Sequence, residues 1–272
     1  MNDETTLAPI QKRVLRNHAS FTQTIRDTLT MAWRNLLKMR RTPEQFADVL
    51  IQPILFPVMF GYLFGGAISG NVSAYLPALI PGILAMSILT TSQVTGQQLR
   101  EDMDKGVFNR FKSLPIARIA PLAGALLADT TRYFIVAVLT FATGFFMGYH
   151  PGGGFWGAAA GSLLAIAVAW CLSWVFALIG VMARSAASVQ AIAFLFIFPL
   201  TFLSNAFVPV DTLPNWLQVF VKINPISHLV AAVRDLANHG AIGTDFWLCI
   251  LTAGIIVAIF APLTVRAYMR KA

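Results

Sequence analysis

The sequence predicts an all-α integral membrane protein, with six transmembrane helices, an N-terminal interfacial amphipathic helix and a re-entrant helix pair between spans five and six. Composition is the first ground: 57% of the 272 residues are hydrophobic and 12% charged, where soluble domains carry about 25% charged residues. Spacing is the second, because residues 49–99, 133–183, 185–210 and 246–265 contain no Asp, Glu, Lys or Arg, and a helix needs roughly 20 apolar residues to cross the hydrocarbon core. The third is periodicity: the long runs lack the period-two alternation of a transmembrane barrel.

In chain order, residues 1–44 read as a cytoplasmic N-terminus and interfacial helix. The opening "MNDETTLAPIQKR" has no apolar h-region, so no cleaved signal peptide is expected. "FTQTIRDTLTMAWRNLLKMRR" then sets Phe21, Ile25, Leu29, Trp33, Leu36 and Leu37 at three- and four-residue intervals among charges, the pattern of a helix lying in the membrane interface. Residues 45–272 form a six-span transmembrane domain, with spans near 46–67, 77–98, 121–148, 155–182, 187–208 and 245–266. Gly-rich turns at 65–71 and 150–154 divide the two longest apolar blocks.

Orientation follows from Lys and Arg. Eight precede the first span, five fall in 99–118, and Arg184, Arg266, Arg270, Lys271 and Arg132 belong to the same side, leaving Lys222 and Arg234 opposite. The positive-inside rule places both termini and the 99–118 loop in the cytoplasm. The net charge of +8 is therefore a topology signal, and no nucleic-acid partner is expected. Cys171 and Cys249 fall within spans and read as packing residues. His18, His150, His228 and His239 show no metal-ligand spacing.

Loop 99–118, "LREDMDKGVFNRFKSLPIAR", holds a quarter of the chain's charge. Arg100, Glu101, Asp102, Asp104, Lys105, Arg110 and Lys112 alternate with Phe108, Phe111 and Leu114 before Pro115, giving a short helix with one apolar edge beside basic residues. Such a surface suits a groove in another protein. Between spans five and six, Pro214 and Pro225 each open a short helix. The second of these has an apolar face of Ile226, Leu229, Val230, Val233 and Leu236 that is too short to span. Arg234 in it has Asp235 and Asp211 as possible partners.

The acidic residues, Lys105-Gly106 and "VFNRFKSLP" resemble the cytoplasmic loop between spans two and three of type-2 ABC export permeases, most closely the daunorubicin-resistance branch. Leu213-Pro214, Asn224-Pro225 and Arg234 resemble a second motif of that family. The resemblance covers nearly the whole chain. It implies that 99–118 forms a coupling helix docked on a separate ATP-binding subunit, with Phe108 and Phe111 as anchors and Glu101, Asp102, Arg110 and Lys112 at the rim. It also implies an external re-entrant region over 209–240. The chain has no Gly-x-x-x-x-Gly-Lys-Ser/Thr phosphate loop, so ATP and magnesium are expected on the partner, and this chain is expected to be neither an enzyme nor a cofactor carrier.

For the transported molecule, Phe56, Phe60 and Phe64 recur every four residues in span one, as do Phe194, Phe198 and Phe202 in span five. Each set lines one helix face, either packed against helices and lipid or forming a slot for a flat substrate. "TTSQVTGQQL" places Thr90, Gln93 and Gln97 in the inner half of span two, the expected cytoplasmic mouth. Asp129 and Arg132 at i, i+3 are expected to pair structurally. Three classes follow: a permease exporting amphipathic drug-type molecules, with a second copy or a relative and with membrane lipid around it; a permease for lipid-linked glycan or lipid; and, as outsider, a membrane enzyme.

Overall fold

In a computed structural model that describes residues 20–114, 116–207 and 213–271, the chain is a helical bundle with no strand among those residues. Its elements are α1 (Phe21–Arg41), α2 (Pro43–Ser69), α3 (Val72–Ser92), α4 (Val94–Asp104), α5 (Val107–Ser113), α6 (Ala120–Phe146), α7 (Gly154–Met182), α8 (Ala186–Phe202), α9 (Asn215–Ile223), α10 (Pro225–His239) and α11 (Thr244–Lys271). Five helices are long and apolar enough to cross a membrane: α2 from Val49, α3 with α4, α6, α7 and α11.

The innermost element is α3, where Leu76, Leu79, Ile80, Ile83, Leu84 and Ile88 are fully buried. Around it, α2, α6, α7 and α10 close the core. Prolines shape α3: Pro81 has no N–H to bond the Pro77 carbonyl one turn earlier, and the Asn238 side chain of α10 donates to that carbonyl instead, at 2.8 Å. Where α4 crosses α7, Gly96 and Gly180 pack backbone to backbone, and a Cβ on either would strike the other helix.

The fifth crossing is not one helix. The sequence expects a span over 187–208, but α8 has 17 residues and ends at Phe202. Pro199, the turn Ser204–Phe207 and the side chain of Asn224, which takes the Leu200 and Leu203 carbonyls at 2.6 and 3.0 Å, stop it there. Val189 near its start lies beside Gly96, and Ala206 beyond its end lies over Gly82, ten residues or about 15 Å below the start of α3. The ascent is completed by α10, which meets α9 at a 75° bend and runs out to the α6–α7 turn, where Gly153 donates to the Ala237 carbonyl at 2.9 Å. Arg100 donating to the Ala183 carbonyl at the other end shows that α7 and α8 are joined there. Within the re-entrant pair, α10 therefore penetrates the bundle, while α9 keeps Trp216, Val219 and Ile223 exposed.

The amphipathic helix α1 forms as expected, and the structure adds what its other face packs against. It runs beside α6 in parallel register, with Asp27 accepting from the Ala117 amide at 2.9 Å, Met31 against Gly124 and Met39 against Arg132. Its buried face is Met31, Ala32, Asn35 and Met39, while Phe21, Ile25, Leu29 and Trp33 face outward. The apolar stripe is thus the outer face, suited to lipid, and the small and flexible residues make the helix contact.

Candidate functional site

Two cavities meet between α2, the α3–α4 junction and α8. One, of about 230 Å³, is lined by Gln52, Phe56, Met86, Thr90, Gln93, Phe194, Ile197, Phe198, Thr201 and Phe202. The other, of about 380 Å³, shares Gln52, Phe56, Thr90 and Gln93 and continues past Thr91, Gln97, Gln98, Gln190 and Arg132 to Glu101. An aromatic limb and an amide-rich limb thus adjoin across the shared Gln52, Phe56, Thr90 and Gln93. Its walls follow from helix periodicity, which stacks residues four apart.

The two phenylalanine stripes join. Phe194 stacks on Phe198 at 4.8 Å and Phe198 on Phe202 at 4.4 Å. Phe202 reaches Phe207 at 5.5 Å, Phe207 stacks on Phe60 at 4.7 Å, and Phe60 touches Phe56 and Phe64. Phe56, Phe194, Phe198 and Phe202 line the aromatic limb, Phe60 and Phe64 lie above it, and Thr90, Gln93 and Gln97 come together as expected. Sequence reading missed Gln52, Gln190 and Phe207. The first two were legible: Gln52 lies one turn before Phe56 and Gln190 one turn before Phe194 on the same faces. Phe207 lies in a turn, where no periodicity points to it.

Beneath the amide limb lies a buried charged cluster. Arg132 donates through Nη1 to Asp129, which also accepts from the Thr95 hydroxyl, and the Arg132 Nε reaches the Met39 sulfur at 3.2 Å. Both charged side chains are 1% exposed. The adjacent Tyr133 hydroxyl meets Ser173, 19 residues or about 28 Å along α7 from its far end. The cluster therefore sits near one boundary of a roughly 30 Å hydrocarbon core, and Asp129–Arg132 is the pair the spacing predicts.

Loop 99–118 lies just beyond. Gly106, at φ +68°, supplies the left-handed turn between α4 and α5. Phe108 is buried in this chain, edge-on to Tyr268 at 5.1 Å and beside Leu99, Leu122 and Val181. Phe111 lies under the Arg34 guanidinium, 5.0 Å from the ring centre. Within this chain Phe108 is buried and Phe111 half-buried, and both contacts hold α5 against α11 and α1.

The expected rim carboxylates are also held within the chain. Asp102 pairs with Arg34 and Lys38, each at 3.1 Å, and Glu101 lies 3.6 Å from Lys38 and from Lys105. Arg100 pairs with Asp104. Facing outward are Lys105, Gly106, Arg110 and Leu114. Pro115 and the Lys112 side chain lie outside the described residues.

At the opposite end the second motif is explained by main-chain chemistry. Asn224 caps α10 by accepting from the Ile226 amide at 2.9 Å while its Nδ2 holds α8. Pro225 opens α10 and Pro214 precedes α9, where the Leu213 carbonyl accepts from Gln218 at 2.8 Å. Arg234 donates to the Ala78 and Asn205 carbonyls at 3.0 and 2.9 Å. The expected carboxylate partner is thus corrected as far as Asp235 is concerned, which lies 3.8 Å from His239; Asp211 is outside the described residues. Near Arg234, the Tyr149 hydroxyl donates to Asn238 at 2.6 Å, and burial pushes its phenol up to about 12.

Residues 26–237 match the model of the ABC-2 type transporter. The chain belongs to the ABC-2 type transporter family. It is 39% identical over 249 residues to a daunorubicin resistance ABC transporter permease protein, DrrB1, of Streptomyces coeruleorubidus, covering 90% of this chain and 86% of that protein. It is also 28% identical over 185 residues, covering 65% of this chain and 64% of the other, to a probable doxorubicin resistance ABC transporter permease protein, DrrC, of Mycobacterium tuberculosis. This ABC-2 chain is accordingly a multi-pass membrane permease.

Proposed function

We propose that this ABC-2 chain is the membrane subunit of an ATP-driven exporter that moves small, flat, amphipathic drug-type molecules out of a prokaryotic cell. The observation that carries this reading is the two-limbed cavity, in which a phenylalanine ladder adjoins a group of amides and hydroxyls at one membrane boundary. Flat rings stack on the first, and polar substituents exchange water for the second. Similarity to the daunorubicin resistance permease supports the same substrate class.

The motor is a separate ATP-binding subunit carrying ATP and magnesium, docked on the outward face of loop 99–118 at Lys105, Gly106, Arg110 and Leu114. Family membership supports such a partner. A second permease copy or a relative completes the transporter, since α2 and α8 also carry exposed apolar side chains outside the cavity, among them Tyr62, Leu63, Leu195 and Phe196. Both termini and the loop are cytoplasmic by the Lys and Arg distribution.

Cells expressing the chain with its ATP-binding subunit should accumulate less daunorubicin. Gln93→Leu and Phe198→Ala should each reduce that export severalfold while leaving the membrane level of the protein unchanged. Normal export in both variants would remove the cavity from the pathway. Cysteines placed at 105 and 222 should label with an impermeant reagent from opposite sides; labelling from one side overturns the orientation.

A further inference from the structure

We propose that Arg132 is a specificity-determining residue, whose free guanidinium arm donates to an uncharged acceptor oxygen on the transported molecule. The inference rests on the cavity being the substrate site. Arg132 uses Nη1 on Asp129 and Nε on Met39. Its Nη2 has no hydrogen-bond partner among the described residues, although the side chain is 1% exposed. Leaving a buried donor unmade is costly, and a charged group at membrane depth is expensive unless it pairs or lines a pathway. Arg132 lines the 380 Å³ amide limb with Nη2 closed off from it in this conformation, so an acceptor entering that limb satisfies Nη2 once the guanidinium turns toward it.

The surroundings select the chemistry of that acceptor. Asp129 already balances the guanidinium charge, and Glu101 lines the same limb, so a carboxylate or phosphate gains little net attraction there. A carbonyl or hydroxyl oxygen has no such penalty and still receives a charge-assisted bond. The shared Phe56 and Gln93 place this oxygen on the polar edge of a ring system whose body lies in the aromatic limb. Arg suits the position because its planar fork holds Asp129 through one nitrogen and presents a second at a fixed angle and distance, which the single ammonium of Lys does not reproduce.

The test uses the transporter with its ATP-binding subunit in nanodiscs and two fluorescent probes: daunorubicin, a flat molecule bearing quinone and hydroxyl oxygens, and ethidium, a flat cation with none. Arg132→Lys retains the ion pair and loses the second arm, and Asp129→Asn with Arg132→Met removes both charges together. Each should weaken daunorubicin binding about tenfold and shift ethidium by less than about twofold. Phe198→Ala reports separately on the cavity and should weaken both probes. If the Arg132 variants leave daunorubicin unchanged, or weaken both probes equally, the assignment is overturned even when Phe198→Ala behaves as expected. If Phe198→Ala is silent but the Arg132 variants discriminate, the aromatic limb is wrong and Arg132 stands. Binding of neither probe to the unaltered protein overturns both.

Discussion

The loop 99–118 and the pair α9–α10 both interrupt the succession of spans, yet they are fastened by different physics. The loop is held by half-exposed ion pairs and ring contacts: Arg34 and Lys38 on Asp102, Arg34 over Phe111, and Phe108 against Tyr268. The pair is held by side chains on main-chain carbonyls: buried Asn224 on Leu200 and Leu203, part-buried Arg234 on Ala78 and Asn205, and Asn238 on Pro77. Exposed ion pairs contribute little and weaken with salt, whereas an orphaned buried carbonyl is costly. The loop end is therefore the more salt-sensitive of the two, and the α10 end the more firmly fixed.

The largest expected effect is at the fixed end. Asn224→Ala removes the cap of α10 and frees two carbonyls of α8, and should cost about 3 to 4 kcal/mol, read as a large drop in the thermal midpoint in detergent. Phe108→Ala should follow at about 3 kcal/mol from the cavity it leaves. Its distinguishing mark is faster amide exchange in α5 with α10 unchanged.

A smaller effect is expected of Arg34→Ala with Lys38→Ala, together about 1 kcal/mol at low salt and less in high salt. The same variant should loosen the link between ATP hydrolysis and export. Should this double variant destabilise the protein as much as Asn224→Ala, the contrast between the two ends is broken. The smallest is Lys105→Ala, which should leave the thermal midpoint unmoved and lower only the on-rate for the ATP-binding subunit, because its ammonium is largely in solvent.

Much of this arrangement was written in local pattern. Charge-free runs and a single apolar period set the bundle; the four-residue recurrence of Phe56, Phe60 and Phe64 and of Phe194, Phe198 and Phe202 set two aromatic faces; and Thr90, Gln93 and Gln97 marked a polar boundary. Periodicity reports which residues share a face, since side chains four apart stack along one helix. It also reports Asp129 with Arg132, which lie within one turn of each other.

What lies opposite a face was decided only by tertiary structure. The two phenylalanine stripes are separated by more than a hundred residues, and Phe207, in an aperiodic turn, joins them. Phe108 carried the pattern of an apolar edge, and its neighbour within the chain, Tyr268, is 160 positions away. Arg234 found carbonyls rather than a carboxylate because α8 stops at Phe202 and opens the Asn205 carbonyl beside it. A sequence sets the amphipathic faces and the breaks between them through local dihedral and hydropathic preferences. Which face meets which depends on packing between distant helices, where burial and unsatisfied backbone groups outweigh local preference.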